Sequence, residues 1–346
     1  IMSETTGISW TDATWKPVTG CSKLSQGCKN CYALREWPRL SAPRPKPNVY
    51  TGREFTDVQC HPERLDQPLR WSKPRRIFVN SMSDLFHEDV PFEFIDSVMA
   101  VMWLGVRHSY QVLTKRIERA AHYFEDLQAL SPAAFEERLA AALELMRAAT
   151  PERPLMCDEI ISVGGRVGAA HIPPTLWMGA SVEDQPTADE RIPHLVGIRA
   201  PVIFLSAEPL LDRIDLDPRL LAPIEGGSQH GQRFIDWVIA GGESGPKARP
   251  SHPDWFRSLR DQCAAAGVPF HFKQWGEWTP GENVERERGT VDTAFLWDDQ
   301  WSIHPLNLAT DHGHVDDQPD LYRVGKKAAG RLLDGVEHNG FPEAEC

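Results

Sequence analysis

Six stretches of the chain are apolar and rich in β-branched residues, and each stops at small, polar or ionisable residues. Arg76 to Met82 (RIFVNSM) stops at Ser83-Asp84, and Tyr110 to Leu113 (YQVL) stops at Thr114-Lys115. Leu176 to Val182 (LWMGASV) stops at Glu183, and Pro201 to Ala207 (PVIFLSA) at Glu208. Ile235 to Gly242 (IDWVIAGG) ends at Glu243, and Val268 to Phe272 (VPFHF) at Lys273. Near-continuous apolar runs of this length, separated by helix-length segments, predict parallel strands buried on both faces.

Helical periodicity fills the gaps. Pro91 can open a helix in which Phe92, Ile95, Val98, Met99 and Met102 share a face, and Gly105 can end it. Ser131-Pro132 opens another, with Phe135, Leu139, Leu143 and Met146 as a core-packing stripe. From about Asp254 to Ala266, Phe256, Leu259 and Cys263 line up, which makes Cys263 a small buried hydrophobe.

Strand-helix alternation with ionisable residues at the strand ends predicts a (β/α) barrel, whose sites form at the C-terminal ends of its strands. Asp84, Lys115, Glu183, Glu208, Glu243 and Lys273 would then converge on one mouth. A doubly wound sheet would instead gather its ligand at one switch point. We expect the barrel to span residues 1–276, with an irregular Pro- and Arg-rich excursion at 36–75 and an inserted loop at 150–175. Residues 277–346 read as a C-terminal extension capping the mouth.

Composition narrows the partners. With 41% hydrophobic and 25% charged residues among 346, the balance is that of an ordinary globular chain. No run of 18 or more apolar residues and no signal-peptide pattern occur, which predicts a cytoplasmic protein that does not enter membranes. A formal net charge of −12 repels phosphate overall, so contact with nucleic acid must be local. Arg44 with Lys46, the run Lys73, Arg75 and Arg76, and Lys115 with Arg116 are the local candidates; each also reads as a solvated surface patch.

Three of the seven cysteines fall within eleven residues, Cys21, Cys28 and Cys31, spaced C-x6-C-x2-C. Three thiolates on one loop can hold three corners of a [4Fe–4S] cluster and leave the fourth iron open. Gly20 and Gly27 would let the backbone wrap closely. Spacing alone leaves an even alternative, a zinc-stabilised binding protein whose site is closed by Cys60 or His61. His61, His87, His252 and His271 read as ordinary polar or capping residues. Of the twelve tryptophans, Trp10, Trp15, Trp275 and Trp278 flank site segments; core packing and stacking on a flat ring both remain open for them.

The blocks ISWTDATWKPVTGCSKLSQGCKNCYA, FVNSMSDLFHEDVP, QVLTKR, LWMGASVEDQPTADERI, FLSAEPLL, IDWVIAGGESGPKARP and FKQWGEW cover nearly the whole chain. On them it resembles a phage- and prophage-associated family with a three-cysteine motif. That family is in turn similar to radical S-adenosylmethionine enzymes of the spore photoproduct lyase type.

The resemblance implies a partial (β/α)6 TIM-like barrel of the radical SAM type, with a [4Fe–4S] cluster and S-adenosyl-L-methionine as cofactors. Cys21, Cys28 and Cys31 match the cluster ligands and Tyr32 the adenine-side aromatic. Ser81, Ser83 and Asp84 would touch the methionine or ribose part, and Lys115 and Glu183 would lie near the sulfonium or its carboxylate. Glu208 and Glu243 would serve the substrate or the cofactor's ammonium, and Lys273 would pair with one of them. Cys157 would return a hydrogen atom to the substrate. The implied activity is modification or repair of a nucleic-acid base or nucleotide, with an external electron donor and a dedicated partner protein encoded nearby. Two features depart from the family pattern. The first cysteine interval is three residues longer than C-x3-C, and Gly241-Gly242-Glu243 stands on a late strand rather than an early one.

Overall fold

The computed structural model describes residues 6–149, 171–221, 234–284, 288–309 and 320–343; Cys157 and most of the expected insert lie outside them. Its centre is a seven-stranded parallel sheet in the order β1, β4, β5, β6, β7, β8, β9. These strands are β1 (Ala13–Trp15), β4 (Arg76–Val79), β5 (Ser109–Thr114), β6 (Leu176–Val182), β7 (Val202–Ala207), β8 (Trp237–Gly241) and β9 (Phe270–Gln274). A short antiparallel pair, β2 (Val18–Thr19) with β3 (Gln59–Cys60), follows β1.

The strand order never reverses, so the sheet has no switch point, unlike a doubly wound fold. It also curls. Adjacent strands lie ~4.8 Å apart, so β4 and β8 would stand ~19 Å apart in a flat sheet. Yet the Trp10 indole lies 4.7 Å from the Phe78 ring on β4 and 6.1 Å from the Trp237 ring on β8. One side chain touches strands four places apart, which makes the sheet a half-barrel closed around Trp10.

Seven strands correct the six expected. β1 was missed because it is three residues long and belongs to no apolar run. Its place is set by pairing, with Ala13 opposite Ile77 and Trp15 opposite Val79.

Helices α1 (Tyr32–Ser41), α2 (Phe92–Leu104), α3 (Ile117–Gln128), α4 (Pro132–Ala149), α5 (Gln185–Gly197) and α6 (Pro253–Ala266) lie between the strands, two of them between β5 and β6 and none among the described residues between β7 and β8. Local signals set their ends. Asp184 and Thr187 form a capping box at the start of α5, and Gly267, at φ +69°, closes α6. The main core lies between the sheet and these helices; Cys263 sits fully buried in it, as expected. Trp15 and Trp275 belong to that core, which settles them as packing residues. No described helix is long and apolar enough to cross a membrane.

Beyond β9 the chain builds an antiparallel sheet, β10 (Trp278–Pro280), β13 (Leu321–Arg323), β11 (Thr290–Trp297) and β12 (Gln300–Asn307), followed by a one-turn helix, α7 (Lys326–Ala329). Trp278, on β10, is buried with Ala248, Ala294 and Leu321. The last described segment pairs with the free edge of β9: Phe272 N–H donates to His338 O at 3.0 Å, and Gly340 N–H to Phe270 O at 2.9 Å. An edge strand is thereby covered. Phe341 packs on Trp237 at 4.5 Å, at the end of the barrel opposite the strand C-termini.

Candidate functional site

A cavity of about 870 Å³ opens at the C-terminal ends of the strands. Cys21, Cys28, Cys31, Asp84, Lys115, Glu208, Glu243 and Lys273 all line it. Five of the six strand-end residues singled out from the sequence therefore converge there. Glu183, fully buried, stands behind Lys115 instead.

The cysteine loop, between β2 and α1, is fixed to the sheet beside each of its thiols. Next to Cys21, the Ser22 hydroxyl accepts from Arg116 Nη2 at 2.7 Å and is hydrogen-bonded to His87 Nε2 at 2.8 Å. Ahead of Cys28, the Gly27 N–H donates to Glu183 Oε1 at 3.1 Å. Ahead of Cys31, Asn30 Nδ2 donates to Glu243 Oε2 at 2.8 Å. Both glycines of the loop are needed for contact. Gly20 has φ +90°, and a Cβ there would meet Asp57 O at 2.4 Å. A Cβ on Gly27 would sit 3.0 Å from both Glu183 Cδ and Lys115 Nζ.

The charged residues behind the loop are saturated. Glu183 Oε2 accepts from Lys115 Nζ at 2.9 Å and Arg191 Nη1 at 3.0 Å. Burial would raise its pKa, but Lys115 and Arg191 hold it below the usual carboxylate range. Glu243 is likewise pushed up by burial but held low overall by the Arg249 guanidinium, at 2.6 and 2.9 Å, and by Asn30. Asp84 accepts from Thr114 Oγ1 at 2.7 Å, Lys115 N–H at 3.2 Å and Arg116 Nη1 at 3.3 Å, knitting β4 to β5. Arg116 is 7% exposed, so it is no solvated patch; Arg76 is tied to Asp12 at 3.0 Å.

Elsewhere in the cavity, the Tyr32 hydroxyl donates to the Ser81 carbonyl, and Ser83 Oγ to Val18 O at 2.7 Å. Lys273 Nζ pairs with Glu208 Oε2 at 2.6 Å, one of the two pairings expected. Glu208 Oε1, Ser206 Oγ, Asn80 Nδ2 and Trp10 Nε1 are buried with no hydrogen-bond partner, and all four residues line the cavity. Such unpaired groups are costly in a finished core and ordinary where a ligand completes them.

Cys21, Cys28 and Cys31 offer three thiols on one loop, the donor type that an iron–sulfur cluster or a zinc ion takes. The three thiols are free, and Arg116 Nη1 stands 3.9 Å from Cys21 Sγ. Burial pushes the Cys21 thiol up to about 12, with Asp84 adding to the rise and Arg116 opposing it. Among the described residues no three His, Cys, Asp or Glu side chains are grouped to hold a single metal ion.

Of the residues weighed as a fourth zinc ligand, His61 has a hydrogen-bond partner and Cys60 keeps a free thiol. His61 Nε2 is hydrogen-bonded to Thr19 Oγ1 at 2.7 Å, and Cys60 packs against the main core. Cys21 and Cys31 instead pack against a separate cluster of Trp37, Tyr50, Phe55 and Met82. His252 caps α6, and His271 is hydrogen-bonded to Ser9 at 2.9 Å, both in polar roles as expected.

Sequence reasoning missed Arg249, Asn30 and Ser22 as the partners that fix the loop. The one visible signal was their presence beside the cysteines or the Gly241-Gly242-Glu243 turn.

The profile of a family described as "Protein of unknown function (DUF5131)" matches residues 5–342. No curated protein matches. Among solved structures, a cysteine-to-serine mutant of spore photoproduct lyase is similar at 9% identity and TM-score 0.38, covering 78% of this chain and 81% of its own. Spore photoproduct lyase complexed with dinucleoside spore photoproduct is similar at 8% identity and TM-score 0.38, covering 93% and 71%. At such TM-scores the likeness is too loose to carry a fold or a chemistry.

Proposed function

The chain belongs to the DUF5131 family, and we propose that it is a radical S-adenosylmethionine enzyme acting on a nucleic-acid base or nucleotide, in modification or repair. One observation supports this above the rest: three free thiols line a single cavity at the mouth of a half-barrel, and each has a loop neighbour tied to a strand-end side chain. A structural site would need no such cavity beside it.

In this reading Cys21, Cys28 and Cys31 hold three irons of a [4Fe–4S] cluster. When bound, the cluster and S-adenosyl-L-methionine supply one-electron cleavage of a sulfonium, and with it a 5′-deoxyadenosyl radical. The chain's own work is positioning. Arg116, Glu183 and Glu243 fix the loop from three strand ends, so the thiols keep their spacing as ligands change. Tyr32, Ser81 and Ser83 form the wall beside Cys31 on which we place the adenosyl end of the cofactor. Asp84 and Lys115 hold that wall to β5 through the bonds already given. Trp10, at the floor, keeps water from entering through the centre of the barrel. Cys157 stays the candidate for returning hydrogen to the substrate.

The test is turnover. Protein reconstituted with iron and sulfide and reduced with dithionite is expected to form 5′-deoxyadenosine from S-adenosylmethionine, and the Cys31→Ala protein is expected to form none. Fully iron-loaded protein that yields no 5′-deoxyadenosine, with or without nucleic acid present, would overturn the reading.

A further inference from the structure

In a chain of net charge −12, a cavity wall with surplus cations is the anomaly. Such a wall stands where β9 ends. Lys273, Lys326 and Arg35 gather there with two carboxylates, Glu208 and Glu277, and all five line the cavity. The carboxylates are largely engaged. Glu208 Oε2 is held by Lys273 at 2.6 Å, and Glu277 Oε1 accepts the Gly245 N–H at 2.8 Å. The Glu277 carbonyl accepts the N–H of Gly325 at 3.1 Å, which sets Lys326 beside it. Arg35 reaches in from the first turn of α1, one Nη1 donating to Ser244 O at 2.9 Å. The Lys326 ammonium has no hydrogen-bond or ion-pair partner among the described residues. Partial burial and the nearness of Lys273 and Arg35 lower its pKa, with Glu208 and Glu277 opposing.

Three cations against two carboxylates leave one positive charge uncompensated, which an arriving anion offsets. A second, independent feature lies alongside. Ser206, at the end of β7 and 0% exposed, has no partner for its Oγ, and Glu208 Oε1, two residues on, has none either. A ligand that satisfies this corner must carry an anionic group together with neutral polar groups a short distance away. An isolated carboxylate or a bare nucleobase meets half of that requirement.

We propose that this corner is a phosphate subsite for a nucleotide-type substrate, with Lys326 and Arg35 meeting the phosphate oxygens and Glu208 Oε1 and Ser206 Oγ meeting the attached nucleoside. It rests on the nucleic-acid reading above and names the residues that would recognise the substrate. The spare guanidinium nitrogens of Arg35 and the flexible Lys326 ammonium suit a group with several acceptor oxygens. A free nucleotide and a phosphodiester strand present the same chemistry.

The test is equilibrium binding to anaerobically purified full-length protein. The probes are thymidine, thymidine 5′-monophosphate and a fluorescent oligothymidylate, with inorganic phosphate as competitor. Both phosphate-bearing probes are expected to bind about tenfold or more tighter than thymidine, and inorganic phosphate to compete. The double variant Lys326→Gln/Arg35→Gln is expected to lose about tenfold for those two probes and nothing for thymidine. Both substitutions are at exposed positions, and an unchanged melting temperature would show that the variant folds. Tighter binding of the strand than of the monophosphate supports a strand as substrate, and equal binding supports a free nucleotide. The proposal is overturned if thymidine binds as tightly as its monophosphate, or if the double variant binds both phosphate probes like the parent. Iron content and 5′-deoxyadenosine are measured on the same samples: loss of binding in protein that keeps both locates the effect at this subsite, and absence of both with binding intact removes the radical reading alone.

Discussion

Glu183 Oε1 accepts the backbone N–H of Gly27 at 3.1 Å, joining a strand end to the residue before Cys28 across 156 positions of sequence. The same carboxylate is held from behind by Lys115 and Arg191. A buried ion triad is weak evidence of stability in itself, since desolvation offsets much of the attraction. Its value here is geometric, because it presents one acceptor to one N–H of the cysteine loop.

Removing that carboxylate leaves Lys115 and Arg191 without their buried counter-charge. Glu183→Gln is expected to cost ~3 kcal/mol of folding stability, read from the urea midpoint. A midpoint equal to that of the parent would show that the triad is not formed. Gly27→Ala should act differently, crowding Glu183 and Lys115 while leaving the sheet intact. Iron retained per chain should fall in Gly27→Ala while far-ultraviolet circular dichroism stays unchanged.

Asn30 gives a cleaner separation of positioning from ligation. Its amide donates to Glu243 at 2.8 Å and to Lys247 O at 2.7 Å. Asn30→Ala should cost no more than ~1 kcal/mol of stability. It should still bind iron, but release it to a chelator several-fold faster than the parent. Unchanged release would mean that the loop is held without it.

Trp10 closes the half-barrel from inside, touching Phe78, Phe204 and Trp237. Trp10→Ala should cost ~3–5 kcal/mol, as large-to-small changes of buried aromatics do. Trp297, 73% exposed at the turn of the β11–β12 hairpin, should tolerate the same change within ~0.5 kcal/mol. Equal costs at the two sites would contradict the curled sheet.

The pH dependence of stability should carry a signature of His271. Burial lowers its pKa from the ordinary 6.5 to about 4, with Arg331 and Lys273 adding to the effect. The folded state therefore holds a neutral imidazole that the unfolded chain protonates first. The contribution is present above pH 6.5 and is lost as pH falls toward 4, on the order of 3 kcal/mol in all. His271→Gln should flatten the stability–pH curve across that interval. A parent curve that is already flat there would contradict the buried neutral imidazole.

Much of the fold could be read in advance. Runs such as Leu176–Val182 and Val202–Ala207 are near-continuously apolar, broken only by small residues such as Ser181 and Ser206, and they form strands buried at every position. β1 could not be read, because three residues between Asp12 and Lys16 become a strand only through pairing with β4. At the site, the strand ends announced which residues would converge. They did not announce direction: Glu183 and Glu243 turn toward the cysteine loop, whereas Glu208 keeps an oxygen free for the cavity. Arg116 looked like surface charge because its partners Asp84 and Ser22 lie 32 and 94 positions away. Side-chain direction at a strand end depends on such distant partners, and one sequence does not reveal them.

Whether Cys21, Cys28 and Cys31 hold an iron–sulfur cluster is read most directly from metal content after anaerobic purification. The expected result is a brown protein with about four irons and matching acid-labile sulfide per chain, and colourless protein from the Cys28→Ala variant. Stoichiometric zinc with no iron in the parent protein would contradict it.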